Sequence, residues 1–153
     1  MPRTTMIAPR LVRLIETHSE QLAQGMMQRL ERSGRFAEFL KRVPRPELQQ
    51  RAYEIYRNLG DWLLWKTERD VEARYIAIGM RRAAQGVPLS QLIDAILFVK
   101  EYLWEFLRRE GLVDHAVDLF QELELFQLVD QFFDRALRYA AVGYERACLS
   151  RAA

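Results

Sequence analysis

Apolar positions recur at helical spacing along the whole chain, and no stretch alternates with the period of a strand. From about Pro9 to Arg32, Leu11, Leu14, Ile15, Leu22, Met26 and Leu30 fall on or near one face. Thr17 and Glu20 have the spacing of a capping box, which opens this stretch to division into two helices near His18. Gly34 suits the position just past a helix end, and Phe36 to Val43 form a short amphipathic piece carrying Phe36, Phe39 and Leu40. Val43-Pro44-Arg45-Pro46 breaks it, because proline lacks an amide donor and disfavours helix in the residue before it. A further helix from Pro46 or Glu47 carries Leu48, Ala52, Ile55, Tyr56, Leu59, Leu63 and Leu64. Thr67 and Asp70 then mark a new N-terminus, for a helix that runs to Gln85 and is capped by Gly86.

After a Gly86-Val87-Pro88 turn comes a helix that ends at Arg108-Arg109 and stops at Gly111. Leu92, Ile93, Ile96, Leu97, Phe98, Val99, Tyr102, Leu103 and Trp104 surround most of its circumference, so neighbours must cover it on two sides. The last helix, about Asp114 to Leu149, is roughly 50 Å long at the usual rise per residue. It carries two apolar stripes. One, through Leu123, Phe126, Phe133, Leu137, Ala140 and Tyr144, suffices for a core. The other, through Leu125, Leu128, Phe132, Ala136 and Tyr139, is assigned to a homodimer interface that packs helices into a four-helix bundle. A charge at Phe132 or Tyr139 is then expected to give a monomer with its helicity largely retained. The pattern predicts an all-α fold of five to seven helices, in a single domain over residues 1–153 with its core at about 10–150. Globin-like and plain helical-bundle arrangements both stay open, because periodicity does not fix crossing angles.

Composition narrows the function classes. Half of the 153 residues are apolar, which supports a packed core, and 23 basic residues face 21 acidic ones for a net charge of +2. That balance argues against nucleic acid as a partner, and the helix after Pro88 is too apolar to read base edges. The lone Cys148 excludes a disulfide framework and points to a reducing compartment. With no apolar signal core at the N-terminus and no window long enough to span a bilayer, a cytoplasmic protein without membrane contact is expected.

Catalytic chemistry finds little support. His18 and His115 are the only histidines, too few for a zinc site even with Cys148, and no Glu-x-x-His pairs suggest a di-iron bundle. Both are weak candidates as haem ligands. His115, in the junction Gly111-Leu112-Val113-Asp114-His115, reads first as a residue flanking the last helix. Cys148 has no sequence-adjacent base, the serines occupy cap and turn positions, and Glu101 and Glu105 share a solvated face. The expectation is a protein that is not an enzyme and carries no cofactor or metal. Gly60, Gly79 and Gly143 sit inside helices at a cost of about 1 kcal/mol each, which points to close helix approach or to a ligand against the backbone. Asp130 and Arg82 lie on apolar faces, at solvent edges or, if buried, paired with each other or lining a pocket.

The run Tyr75-Ile76-Ala77-Ile78-Gly79, Arg82-Ala83 and Gln85-Gly86-Val87-Pro88-Leu89, leading into Leu92, Ala95, Trp104 and Leu107, resembles the N-terminal helical sensor domain of RsbR-type stressosome co-antagonists. The likeness spans roughly residues 10–150. It implies a globin-like fold without haem, dimerisation through the C-terminal helices, and a role in signal input or partner binding. The output domain usual at the C-terminus of such proteins is missing from this sequence. Three functions are thus weighed. The first is a non-enzymatic bacterial regulatory module acting through homodimerisation and a protein partner. The second is a small-molecule sensor with an apolar pocket near Tyr75, Gly79, Arg82, Phe98 and Tyr102. The weakest is a haem protein.

Overall fold

A glycine, a proline or a capping box marks most breaks in the helical pattern. In the computed structural model, which describes residues 8–110 and 116–152 and the last helix's side chains from Leu119 onward, the first apolar stretch does divide at His18. Helix α1 (Pro9–Thr17) ends there and α2 (Ser19–Ser33) begins, with no side chain capping the junction. Gly34 ends α2 in the left-handed region at φ 74°, a conformation that glycine adopts without steric cost. Helix α3 (Ala37–Arg42) is followed by the proline pair and α4 (Arg45–Arg57).

Helix α4 stops sooner than its periodicity implies. Instead of continuing to Leu64, the chain leaves α-helical form at Asn58 and makes one wide π turn, Asp61–Trp65. The Gly60 amide, free of a side chain, donates to Glu16 Oε2 at 2.8 Å, which ties this turn to α1. The wider turn sends both Trp62 and Leu63 into the core.

Helix α5 (Glu68–Ala84) opens on the expected capping box. Asp70 N–H donates to Thr67 Oγ1 at 3.2 Å, and Thr67 N–H donates to Asp70 Oδ2 at 2.8 Å. It closes with a pair of reversed bonds: Gly86 N–H to Ala83 O and Val87 N–H to Arg82 O, both 3.0 Å, with Gly86 at φ 77°. Helix α6 (Leu89–Glu110) follows Pro88 directly, and α7 (Ala116–Ala152) has 37 residues, about 55 Å at the helical rise. No strand occurs among the described residues.

Helices α5 and α7 run in the same sense. Glu68, at the start of α5, accepts from Arg135 and Tyr139, and Val87, just past its end, accepts from Tyr144 at 2.6 Å. Their backbones meet at Gly79 and Gly143. A Cβ on Gly79 would overlap the Ala140 carbonyl, and one on Gly143 would overlap that of Ile76. Of the two uses of an interior glycine, close helix approach applies here. Helix α6 packs against α7 in the opposite sense, Trp104 stacking on Phe126 while Lys100, a turn earlier on α6, reaches Asp130, a turn later on α7. Helix α1 lies on α2 and α4, with Leu11, Val12 and Ile15 buried. A single apolar core runs through all these elements, with Trp62, Tyr75 and Phe132 in mutual ring contact at 5.6–6.3 Å at its centre. No described helix is long and apolar enough to cross a membrane.

Candidate functional site

The two stripes of α7 do not divide cleanly into an inner and an outer one. Leu125, Phe132 and Ala136 have no exposure, closed in by α5, the π turn and α6, while Leu128 and Tyr139 are half-buried at the margin. The stripe assigned to a dimer interface is therefore core in the protomer, because Phe132 fits between Trp62 and Tyr75. Of the stripe assigned to the core, Phe133 and Ala140 are buried, but Leu123 is 54% exposed. Phe126, Leu137 and Tyr144 are half-buried. With Leu119 at 44% and Phe120 at 68%, Leu123 forms an outward apolar face on α7. That face continues onto α6 through Trp104, whose indole stacks on Phe126 with centroids 4.4 Å apart and planes 10° from parallel. The indole N–H donates to Asp130 Oδ1 at 2.9 Å.

Asp130 and Arg82 are not partners. Asp130 sits in this outer face with Trp104 and Lys100, the latter at 3.9 Å. Arg82 is buried, and its guanidinium binds Glu47 of α4 and Gln85 Oε1, the second at 2.9 Å. Arg81 holds the same Glu47 carboxylate through two bonds, at 2.7 and 2.8 Å. The hydrogen bond from Arg81, with help from Arg82, lowers the Glu47 carboxyl to about 2 against the opposing effect of burial. Burial in turn lowers the Arg82 guanidinium from its ordinary value. Glu47 escaped the sequence reading because it lies 35 residues from Arg82 and looks like an ordinary first-turn acid of α4.

Beside Arg82 a cavity of about 50 Å³ opens between α3, α4, α5, α6 and α7. Of the five residues expected around a pocket, Tyr75 and Arg82 line it. The other three have different positions. Gly79 is consumed by the contact with α7. Phe98 packs edge-on against Phe36 at 5.3 Å. Tyr102 lies over Gly25 of α2, with the Arg29 guanidinium 4.9 Å from its ring centre. The remaining wall is almost wholly apolar, including Leu48, Ala52, Ile55, Ala95 and Val99, except for Arg51. Both Tyr56 and Tyr75 are buried, and desolvation raises each phenol well above its ordinary value, so both remain neutral donors.

His18 is exposed, its Nδ1 3.0 Å from the Leu14 carbonyl, and does not line the cavity. His115 lies outside the described residues. Cys148 is exposed near the end of α7. Among the described residues, no cluster of three or more His, Cys, Asp or Glu side chains is arranged to hold a metal ion.

No curated protein and no solved structure matches this sequence. A family match covers residues 20–153, which leaves out α1 and includes the α5–α7 pair, the buried Arg82 and the exposed face of α7. Over that span the chain belongs to the family described as the RsbT co-antagonist protein rsbRD N-terminal domain, a regulatory domain of stressosome-related signalling.

Proposed function

We propose that this domain is a non-enzymatic regulatory module of the bacterial cytoplasm that homodimerises through the outer face of α6 and α7 and passes a signal to a protein partner. The observation that carries the reading is the cluster of Leu119, Phe120 and Leu123, exposed side by side next to the half-buried Phe126 and Trp104. Large apolar side chains grouped this way on a charged helix favour burial against a second surface. Two copies that present the same face bury it twice, in a four-helix bundle of α6 and α7 from each protomer. Light scattering across a size-exclusion peak tests this. A dimer that becomes a folded monomer on Leu123→Glu supports it, and a monomeric wild-type chain overturns it.

The cavity favours a second reading, a sensor for a small molecule. It lies on the inner side of α7, where Phe133 and Ala136 form part of its wall, with the proposed dimer face on the same helix's outer side. A ligand there acts on the helix that carries the dimer contact. Uptake of xenon, detected by NMR shifts of wall methyl groups, tests the cavity independently of the dimer.

A further inference from the structure

Outside the cavity, between α4, the π turn and α5, lies an open cleft of about 470 Å³. It is lined by Trp62, Ala73, Ala77 and Ile78 together with Arg51, Lys66, Arg74, Arg81 and Asp70. Arg51 and Ile78 line both spaces, so together they form the partition between a cationic cleft and an apolar cavity. We propose that the two are one site for a short-chain carboxylate, with its head in the cleft on Arg51 and its alkyl end past Ile78 in the cavity. This assignment rests on the small-molecule reading above and gives it a ligand class.

Charge, an unmet donor and size each constrain the ligand. Arg51, Lys66, Arg74, Arg81 and Arg82 line the combined space, against one lining carboxylate, Asp70. Glu54, bound to Arg51 and Arg74, and Glu47, bound to Arg81 and Arg82, offset this excess without reversing it. An amine is therefore repelled and an anion favoured. Arg51 Nη1 donates to both oxygens of Glu54 at 3.2 Å, while its Nε is buried without a hydrogen-bond partner. A buried donor on a charged group calls for an acceptor, and a carboxylate oxygen supplies one in charge-assisted form. The cavity is about a third of the ~150 Å³ that accommodates a benzene ring. It therefore takes a chain end of a few carbons rather than a ring, and Arg82 on its wall is already engaged by Glu47 and Gln85, which leaves the charged head to the cleft.

Calorimetric titration of the full chain with sodium butyrate tests the site, with 1-butanol as the tail without the charge and sodium sulfate as an anion without the tail. Butyrate is expected to bind saturably and the other two not to. Arg51→Met, which keeps the apolar stem of the side chain as far as the Nε position and removes its donors, should weaken binding about tenfold or more. Ala95→Leu, which fills the cavity, should abolish it. Thermal melts establish that each variant folds, and if one does not, the other decides. Absence of saturable butyrate binding, equal binding of butanol, or butyrate binding unchanged by Ala95→Leu overturns the proposal. Xenon entry without butyrate binding overturns the carboxylate assignment and leaves the cavity reading standing.

Discussion

Gly79 and Gly143 each lie with a bare Cα against the other's helix, which lets α5 and α7 approach to backbone contact. A Cβ on Gly79 would overlap the Ala140 oxygen and stand 2.9 Å from the Tyr144 nitrogen. One on Gly143 would overlap the Ile76 oxygen. Since the neighbours are backbone atoms, no rotamer change relieves either clash. Gly79→Ala and Gly143→Ala should each destabilise the fold by about 3 kcal/mol, despite the ~1 kcal/mol that alanine gains as a helix former. The double substitution should cost less than the sum, because one helix displacement relieves both clashes. Denaturant titration measures all three, and a neutral Gly79→Ala would contradict the close crossing.

The outer and inner stripes of α7 should respond to charge in opposite ways. Leu123→Glu and Phe120→Glu place a carboxylate on exposed positions and should abolish self-association with circular dichroism unchanged. Phe132→Glu buries a charge between Trp62 and Tyr75, where nothing pairs with it, and should unfold the domain rather than separate a dimer. Folded monomers from Phe132→Glu would instead restore that stripe as the interface.

Glu47 makes stability depend on acid. Its carboxyl titrates at about 2 in the folded chain against an ordinary 4.5, through the bonds from Arg81 and Arg82. A folded value below the unfolded one means the stabilisation is complete above pH 4.5 and is lost as pH falls toward 2. Glu47→Gln should be less stable at neutral pH, and its stability should change less with pH inside that window. Urea titrations at stepped pH give the comparison, and parallel profiles for the two proteins would rule out Glu47 as the source.

Trp104 joins a stacking contact to a polar one. Trp104→Phe retains a ring on Phe126 and loses the hydrogen bond to Asp130, a change of about 1 kcal/mol. Trp104→Ala also empties the space beside Phe126 and should cost about 3 kcal/mol. Chemical denaturation separates the two, and equal losses would assign the whole effect to the indole hydrogen bond to Asp130.

Local chemistry announced itself in the sequence wherever it acts over a few residues. Thr67 with Asp70 and Gly86 before Pro88 stand where spacing puts them, and the helix does divide at His18, though without the Thr17–Glu20 cap that spacing suggested. What spacing does not encode is which side of a helix meets which neighbour. Both stripes of α7 are apolar, and the choice between them is made by Phe132 entering the Trp62–Tyr75 gap and by Gly143 meeting α5. Arg82 likewise finds Glu47 across the fold rather than Asp130, and Gly79 serves α7 rather than the cavity. The π turn at Asp61–Trp65 left no mark, because its apolar residues continue the α-helical rhythm of Leu59.

The span over which the family is recognised begins at residue 20, yet Leu11, Val12 and Ile15 of α1 are part of the buried core. Burying three such side chains contributes roughly 5–8 kcal/mol, comparable to the entire net stability of a typical domain. A polypeptide trimmed to the recognised span would therefore leave α2 and α4 uncovered and lose the carboxylate of Glu16 that holds the Gly60 amide. Such a product should be sticky, protease-sensitive and poorly expressed. The recognisable unit should therefore fall one helix short of the smallest stable unit.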